Sequence, residues 1–171
     1  MIVAALADAA RVGAQSDSLT WVDEGFVELA MCFAGWTTLC MGGPGHGLGY
    51  VLSRLEVAGD PIMAYGYNPA RLSPRSVPPN RHISVADMIL QWPQVGIPRD
   101  RWVLRKIVLL RALWNDDRLR YVVSYPSIAR KIGCSRAAAR NWHRSALQAI
   151  AKGIVREPKR INDFLVAATA V

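Results

Sequence analysis

The sequence has few of the residues that build metal sites and disulfide scaffolds. Its 171 residues include three histidines and three cysteines, Cys32, Cys40 and Cys134, with no Cys-x-x-Cys spacing. An odd, unclustered cysteine set excludes a zinc finger and a disulfide-stapled secreted domain. The N-terminal run MIVAALADAARV lacks the basic start of a signal peptide. We therefore expect a cytoplasmic protein with reduced thiols, no metal, no cofactor and no membrane partner.

Acidic residues are scarce in one part of the chain. Residues 99–160 contain 16 Lys and Arg against 4 acids, whereas residues 1–98 contain 5 Arg against 8 acids. A compact basic segment attracts phosphate-bearing partners, of which nucleic acid is the default and an acidic membrane surface the rival. The four acids of the basic region are scattered along it, so no set of titratable groups converges there. We expect a binding protein rather than an enzyme.

The composition otherwise fits a globular helical protein. Hydrophobic residues make up 51% of the chain, enough for a core at this length. Five of the ten prolines fall in residues 61–81, which have no helical period. We predict an all-α fold with an N-terminal helical region (1–60), a Pro-rich linker (61–81), a helix-turn-helix domain (82–160) and a tail (161–171).

Two capping patterns predict helix starts outside the basic motif. Thr20-x-x-Asp23 predicts a helix whose buried stripe carries Val22, Phe26, Leu29, Phe33, Trp36 and Cys40. The Gly-rich run 42–50 then ends this helix and lacks the spacing of a phosphate-binding loop. Ser84-x-x-Asp87 predicts a short helix that ends at Pro93, and an amphipathic helix follows over residues 101–114.

The run from Tyr125 to Ile154 has the pattern of a helix-turn-helix. Pro126 suits the first turn of a helix, and Ile128, Ala129 and Ile132 form its inward face. Gly133 permits the left-handed backbone of a tight turn, and Ser135 is placed to cap a second helix. These signals together predict two helices joined by a short turn.

The second helix of this pair has an arginine-rich face. We predict an inward side of Ala139, Trp142, Ala146, Ala149 and Ile150. Arginine can bind guanine and asparagine can bind adenine in the major groove, so the predicted base contacts are Arg136, Ala137, Arg140, Asn141 and Arg144. The predicted DNA-backbone contacts are Arg118, Arg120, Arg130, Lys131, Ser135, His143, Lys152, Lys159 and Arg160. The alternative is an ordinary helix with a solvated basic face.

Residues 83–155 resemble a known family. The runs WPQVGIPRDRWVLRKIVLLRAL and YPSIARKIGCSRAAARNWHRSALQAIAKGI are similar to a helix-turn-helix family of unknown function from alphaproteobacteria and their phages, and the second run is also similar to region 4 of sigma factors. Ala139 departs from the larger aliphatic residue usual at that inward position. The resemblance implies DNA binding in a phage or bacterial regulatory setting, without implying a target.

These observations predict a sequence-specific, double-stranded-DNA-binding transcription regulator. One alternative is a phage DNA-packaging subunit of the small-terminase kind, in which the stripe from Val22 to Cys40 would drive ring assembly. Another is an adaptor or antitermination factor that binds RNA polymerase through an apolar N-terminal half. Self-association stays open, because no heptad run predicts a dimer.

Overall fold

The computed structural model describes residues 1–16, 18–41, 78–115 and 119–169. The Gly-rich run 42–50, nearly all of the predicted linker and Arg118 lie outside these ranges. The described helices are α1 (Ile2–Ala14), α2 (Glu24–Met41), α3 (Asn80–Leu90), α4 (Trp92–Gly96), α5 (Trp102–Ala112), α6 (Tyr125–Ile132), α7 (Arg136–Val155) and α8 (Pro158–Thr169). The all-α prediction is confirmed.

A two-stranded hairpin between α5 and α6 was not predicted. Strands β1 (Trp114–Asn115) and β2 (Arg120–Tyr121) pair antiparallel, with Trp114 opposite Tyr121. Their two rings meet edge to face, with centroids 5.1 Å apart. The described chain also has 3₁₀ turns at Leu19–Trp21 and Arg99–Arg101.

Helix α2 is the central helix of the fold. Its N-cap is Asp23, whose Oδ1 accepts the Phe26 N–H at 2.8 Å. The prediction that the helix starts at Thr20 is therefore wrong, since Thr20 lies in the preceding 3₁₀ turn. Burial also extends beyond the predicted stripe to Val27 and Met31. A helix surrounded by others is apolar on most sides, and a one-stripe pattern underestimates its burial.

The N-terminal and C-terminal helices share one core. Helix α2 packs against α3, α5 and α7, and α1 packs against α8. A single cluster of buried side chains joins both halves of the chain, among them Leu6, Phe33, Ile89, Ile150 and Phe164. The predicted regions 1–60 and 82–160 are thus not independent in their described parts, and the predicted tail forms most of α8.

The start of α3 corrects a second capping prediction. The helix begins at Asn80, so the last residues of the predicted linker are helical. Ser84 lies inside α3, where its hydroxyl donates to the Asn80 carbonyl at 3.1 Å instead of capping a helix start. The predicted end of this helix at Pro93 is wrong, since α3 ends at Leu90 and Pro93 is the second residue of α4, in a first turn that needs no N–H at that position.

Helix α2 begins an unusually uncharged part of the sequence. No Asp, Glu, Lys or Arg occurs between Glu28 and Arg54. Even so, none of the helices in the described ranges is long and apolar enough to cross a membrane.

Candidate nucleic-acid interface

Helices α6 and α7 form the predicted helix-turn-helix pair. The Ser124 hydroxyl accepts the Ser127 N–H at the start of α6, and the Ser135 hydroxyl accepts the Ala138 N–H at 3.0 Å at the start of α7. Between the helices, Gly133 has a φ of +75°, in the left-handed region that favours glycine. The N–H groups of Gly133 and Cys134 both donate to the Ala129 carbonyl. The predicted turn and the predicted cap at Ser135 are confirmed, and the cap at Ser124 was not predicted.

Helix α5 packs against this pair, so that α5, α6 and α7 form a three-helix unit. Ile107 from α5, Ile128 from α6 and Ala139 from α7 are fully buried in one cluster, separate from the main core. The small side chain at Ala139 therefore lies at a closely packed inward position. This packing holds α7 by one side and leaves the other side to solvent.

Four of the predicted base contacts lie together on the exposed side of α7. Arg136, Ala137, Arg140 and Asn141 are all exposed in its first two turns. The Arg140 guanidinium lies 5.7 Å from the centre of the Tyr125 ring, a cation–π contact that favours one orientation of the arginine. These side chains have the donor groups for guanine and adenine and a small residue for close approach.

The fifth predicted base contact, Arg144, is held by a carboxylate from α2. Its Nε and Nη2 donate to Glu24 at 3.1 and 2.9 Å, and Gln148 donates to the same carboxylate at 2.9 Å. The hydrogen bonds from Arg144 and, to a smaller extent, from Gln148 lower the pKa of Glu24. The hydrogen bond to Glu24 in turn raises the pKa of Arg144. Sequence reasoning missed Glu24 because it lies far from α7 in the chain and carries no motif.

The predicted orientations of Trp142 and His143 are wrong. Trp142 is 39% exposed, whereas His143 is 4% exposed and faces the interior. His143 Nδ1 and the Tyr125 hydroxyl share a hydrogen bond of 2.9 Å. A buried ring with this partner does not reach a phosphate, so His143 is not a backbone contact. The tyrosine hydroxyl supplies the partner that a buried imidazole needs.

A buried arginine lies behind the helix-turn-helix. Arg111 on α5 has its guanidinium carbon 3.3 Å from the ring centre of Tyr121 and 4.2 Å from that of Tyr125. Its Nη1 donates to the Val123 carbonyl at 2.8 Å. Tyr121 in turn donates to Glu28 of α2 at 2.6 Å. Burial, followed by this bond to Glu28, raises the pKa of Tyr121.

We call these linked side chains the arginine–tyrosine cluster: Glu28, Arg111, Tyr121, Tyr125 and His143. The cluster connects α2, α5, the hairpin, α6 and α7. Sequence analysis did not identify it, although an arginine inside the apolar run VLLRALW was the available signal.

Stability is expected to fall as the pH drops from about 6.5 to about 4. Burial lowers the pKa of His143 to about 4, with a smaller opposing contribution from Glu28 and a smaller reinforcing one from Arg111. An unfolded histidine takes up its proton near pH 6.5. The unfolded state therefore binds more protons in this window, and the free energy of unfolding decreases. Urea unfolding at pH 7, 5.5 and 4.5 measures this decrease.

The matched variant for this measurement is His143→Gln, which keeps a hydrogen-bonding group beside Tyr125 but does not titrate. Because burial also lowers the pKa of His82, His82→Gln is the second comparison. His143→Gln should reduce the loss of stability between pH 7 and 4.5. An unchanged loss would mean that His143 is not a buried neutral histidine.

The predicted backbone contacts are spread over two ends of α7. Arg130, Lys131 and Ser135 are exposed near the turn, and Arg120 is exposed on strand β2 before α6. Lys152, Lys159 and the partly exposed Arg160 lie toward the other end of α7, which is about 30 Å long. Arg160 also forms an ion pair with Glu157. A duplex bound at the start of α7 thus lies nearer to the first group than to the second.

Comparisons of the chain with protein-family models, curated proteins and solved structures find no match. The resemblance to a helix-turn-helix family and to sigma region 4 stays a prediction. In the described parts of the chain, no group of three or more His, Cys, Asp or Glu side chains is arranged to hold a metal ion.

Proposed function

We propose that this protein is a sequence-specific, double-stranded-DNA-binding regulator of transcription that acts in the cytoplasm of a bacterium or a phage-infected cell. Helix α7 enters the major groove and α6 crosses the DNA backbone. In this proposal Arg136, Ala137, Arg140 and Asn141 contact bases, while Arg130 contacts a phosphate. Arg144 would reach the DNA only after leaving Glu24.

One observation carries the proposal. The capped α6–turn–α7 pair has its left-handed glycine and presents arginine and asparagine side chains on the first two turns of the second helix. An ordinary helix with a solvated basic face would need neither the tight turn before it nor the packing against α5 and α6. The large excess of basic residues over 99–160 supplies the attraction for the DNA backbone.

Ring assembly through the stripe from Val22 to Cys40 would favour the packaging alternative. Phe26 and Phe33 of that stripe are buried in the protein's own core. The polymerase-adaptor alternative needs an apolar surface on the N-terminal half, and these buried side chains are not available for it. Burial of this stripe therefore favours the regulator over both.

Arg140→Ala is expected to weaken binding to a selected duplex by about 1–3 kcal/mol and to relax specificity at one base pair. The reason is the loss of a two-donor contact to one base edge. Selection from a randomised duplex pool, followed by fluorescence anisotropy on the enriched sequence, measures both effects. Enrichment of no motif at all, with tight salt-sensitive binding, would contradict sequence recognition.

Two control variants separate base contacts from backbone contacts. Arg130→Ala should weaken binding to every sequence alike and lower the salt slope by about one. Arg144→Ala should cost less than Arg140→Ala, because its guanidinium already binds Glu24. An equal loss from Arg130→Ala and Arg140→Ala, without any change in sequence preference, would argue for backbone binding alone.

A further inference from the structure

A basic and aromatic surface at the start of α5 lies outside the interface described above. Trp102 is 60% exposed, and the Lys106 ammonium lies 5.7 Å from the centre of its ring. Arg99 and Arg101 are exposed on the 3₁₀ turn just before α5, with Asp100 as the acid between them. We call Arg99, Arg101, Trp102 and Lys106 the α5 patch.

The α5 patch is attached rigidly to the helix-turn-helix. Val103, the residue after Trp102, packs in the same cluster as Ile132, Cys134 and Ala139 of the helix pair. Arg105 Nε donates to the Ile97 carbonyl at 3.1 Å, which ties the first turns of α5 to the end of α4. The residues next to the patch thus pack on the helix pair and bond to the end of α4.

Trp142 is an exposed tryptophan on α7. It shares a helical stripe with Ala149 and Gly153, seven and eleven residues later. That stripe faces α4, because a Cβ added to Gly96 would lie 2.3 Å from the Ile150 Cα and 2.6 Å from the Ala149 carbonyl oxygen. Helix α4 leads through the 3₁₀ turn into Trp102. Trp142 therefore points to the side of α7 that α4 occupies, and Trp102 follows the end of α4 by six residues along the chain.

We infer that the α5 patch and Trp142 form a second contact with duplex DNA, on the phosphodiester backbone beside the groove that α7 enters. This inference rests on the proposed function. The two exposed arginines, Arg99 and Arg101, on either side of a single acid favour a phosphate partner over a neutral or basic protein surface. Each indole N–H can donate to a phosphate oxygen while the ring covers deoxyribose. The contact adds affinity and carries no sequence information.

The test uses the full chain and a labelled duplex that contains the selected motif with long flanks. Trp102→Ala should weaken binding roughly tenfold, and the double variant Arg99→Ala/Arg101→Ala should lower the salt slope by about two. The enriched motif should stay the same in both variants. Trimming one flank should weaken the wild type more than it weakens Trp102→Ala, because the variant has already lost one of its contacts with that flank.

The matched control is Val166→Ala, which removes an apolar side chain that is 75% exposed on α8. Unfolding midpoints should be equal for all variants, and Arg101→Glu should weaken binding further than the neutral substitutions. If the wild type binds no duplex, the proposed function fails. If it binds and the α5-patch variants match it in affinity and salt slope, the proposed function stands and this inference is overturned.

Discussion

Arg111→Met is expected to lower the free energy of unfolding by about 3–5 kcal/mol. Arg111 is 6% exposed and stacks between Tyr121 and Tyr125. Methionine keeps an unbranched, shorter side chain and donates no hydrogen bond, so the Val123 carbonyl loses its donor. The two aromatic faces lose a desolvated cation, and Glu28 loses a nearby positive charge.

Urea unfolding monitored by circular dichroism measures this loss. Arg11→Met on α1 is the control, because Arg11 is exposed and its ion pair with Asp8 is on the surface. That variant should change the free energy of unfolding by less than about 0.5 kcal/mol. A loss below about 1 kcal/mol for Arg111→Met would mean that the arginine–tyrosine cluster contributes little to the fold.

Two acidic residues of α2 connect the N-terminal half to the helix-turn-helix. Glu24 binds Arg144 and Gln148 of α7, and Glu28, one turn later, accepts the Tyr121 hydroxyl. Because they are four residues apart, both lie on the same side of α2. This side of the central helix is therefore hydrogen-bonded to α7 and to the hairpin before α6. Through these contacts the N-terminal half orients the candidate DNA-binding surface.

The helix-turn-helix could be predicted because its signals are local. Pro126, Gly133 and Ser135 each act within one turn of their own position, and the structure places all three as expected. The exposure of Arg136 and Arg140 follows from the helical period alone once α7 is fixed. Short-range stereochemistry therefore predicted the core of the candidate site.

Contacts between distant segments could not be predicted in the same way. Hydropathy placed Trp142 inside and His143 outside, but Tyr125 offers the imidazole a buried hydrogen bond that no local pattern reveals. The Pro-rich segment suggested two separate regions, whereas the shared core depends on α2 fitting among α3, α5 and α7. A single sequence contains no direct signal for such a fit.

Gly35→Ala is expected to lower the free energy of unfolding by about 3 kcal/mol, because α2 and α5 touch through their backbones at this glycine. A Cβ at Gly35 would lie 2.1 Å from the Ala112 carbonyl oxygen and 2.5 Å from its carbon. Neither atom can swing aside as a side chain could, so the two helices must separate and the buried side chains around them lose contact. The better helix propensity of alanine, about 1 kcal/mol, offsets only part of this cost.

The control is Gly25→Ala in the same helix, where the nearest atom to an added Cβ is Asp23 Oδ1 at 3.3 Å and the residue is exposed. We expect that variant to be neutral or slightly stabilising, so the two substitutions should move the urea midpoint in opposite directions or by clearly different amounts. Equal midpoints would show that α2 and α5 are not in backbone contact. Since α5 supports α6 and α7, a Gly35→Ala protein that still folds should also bind duplex DNA more weakly than the Gly25→Ala protein.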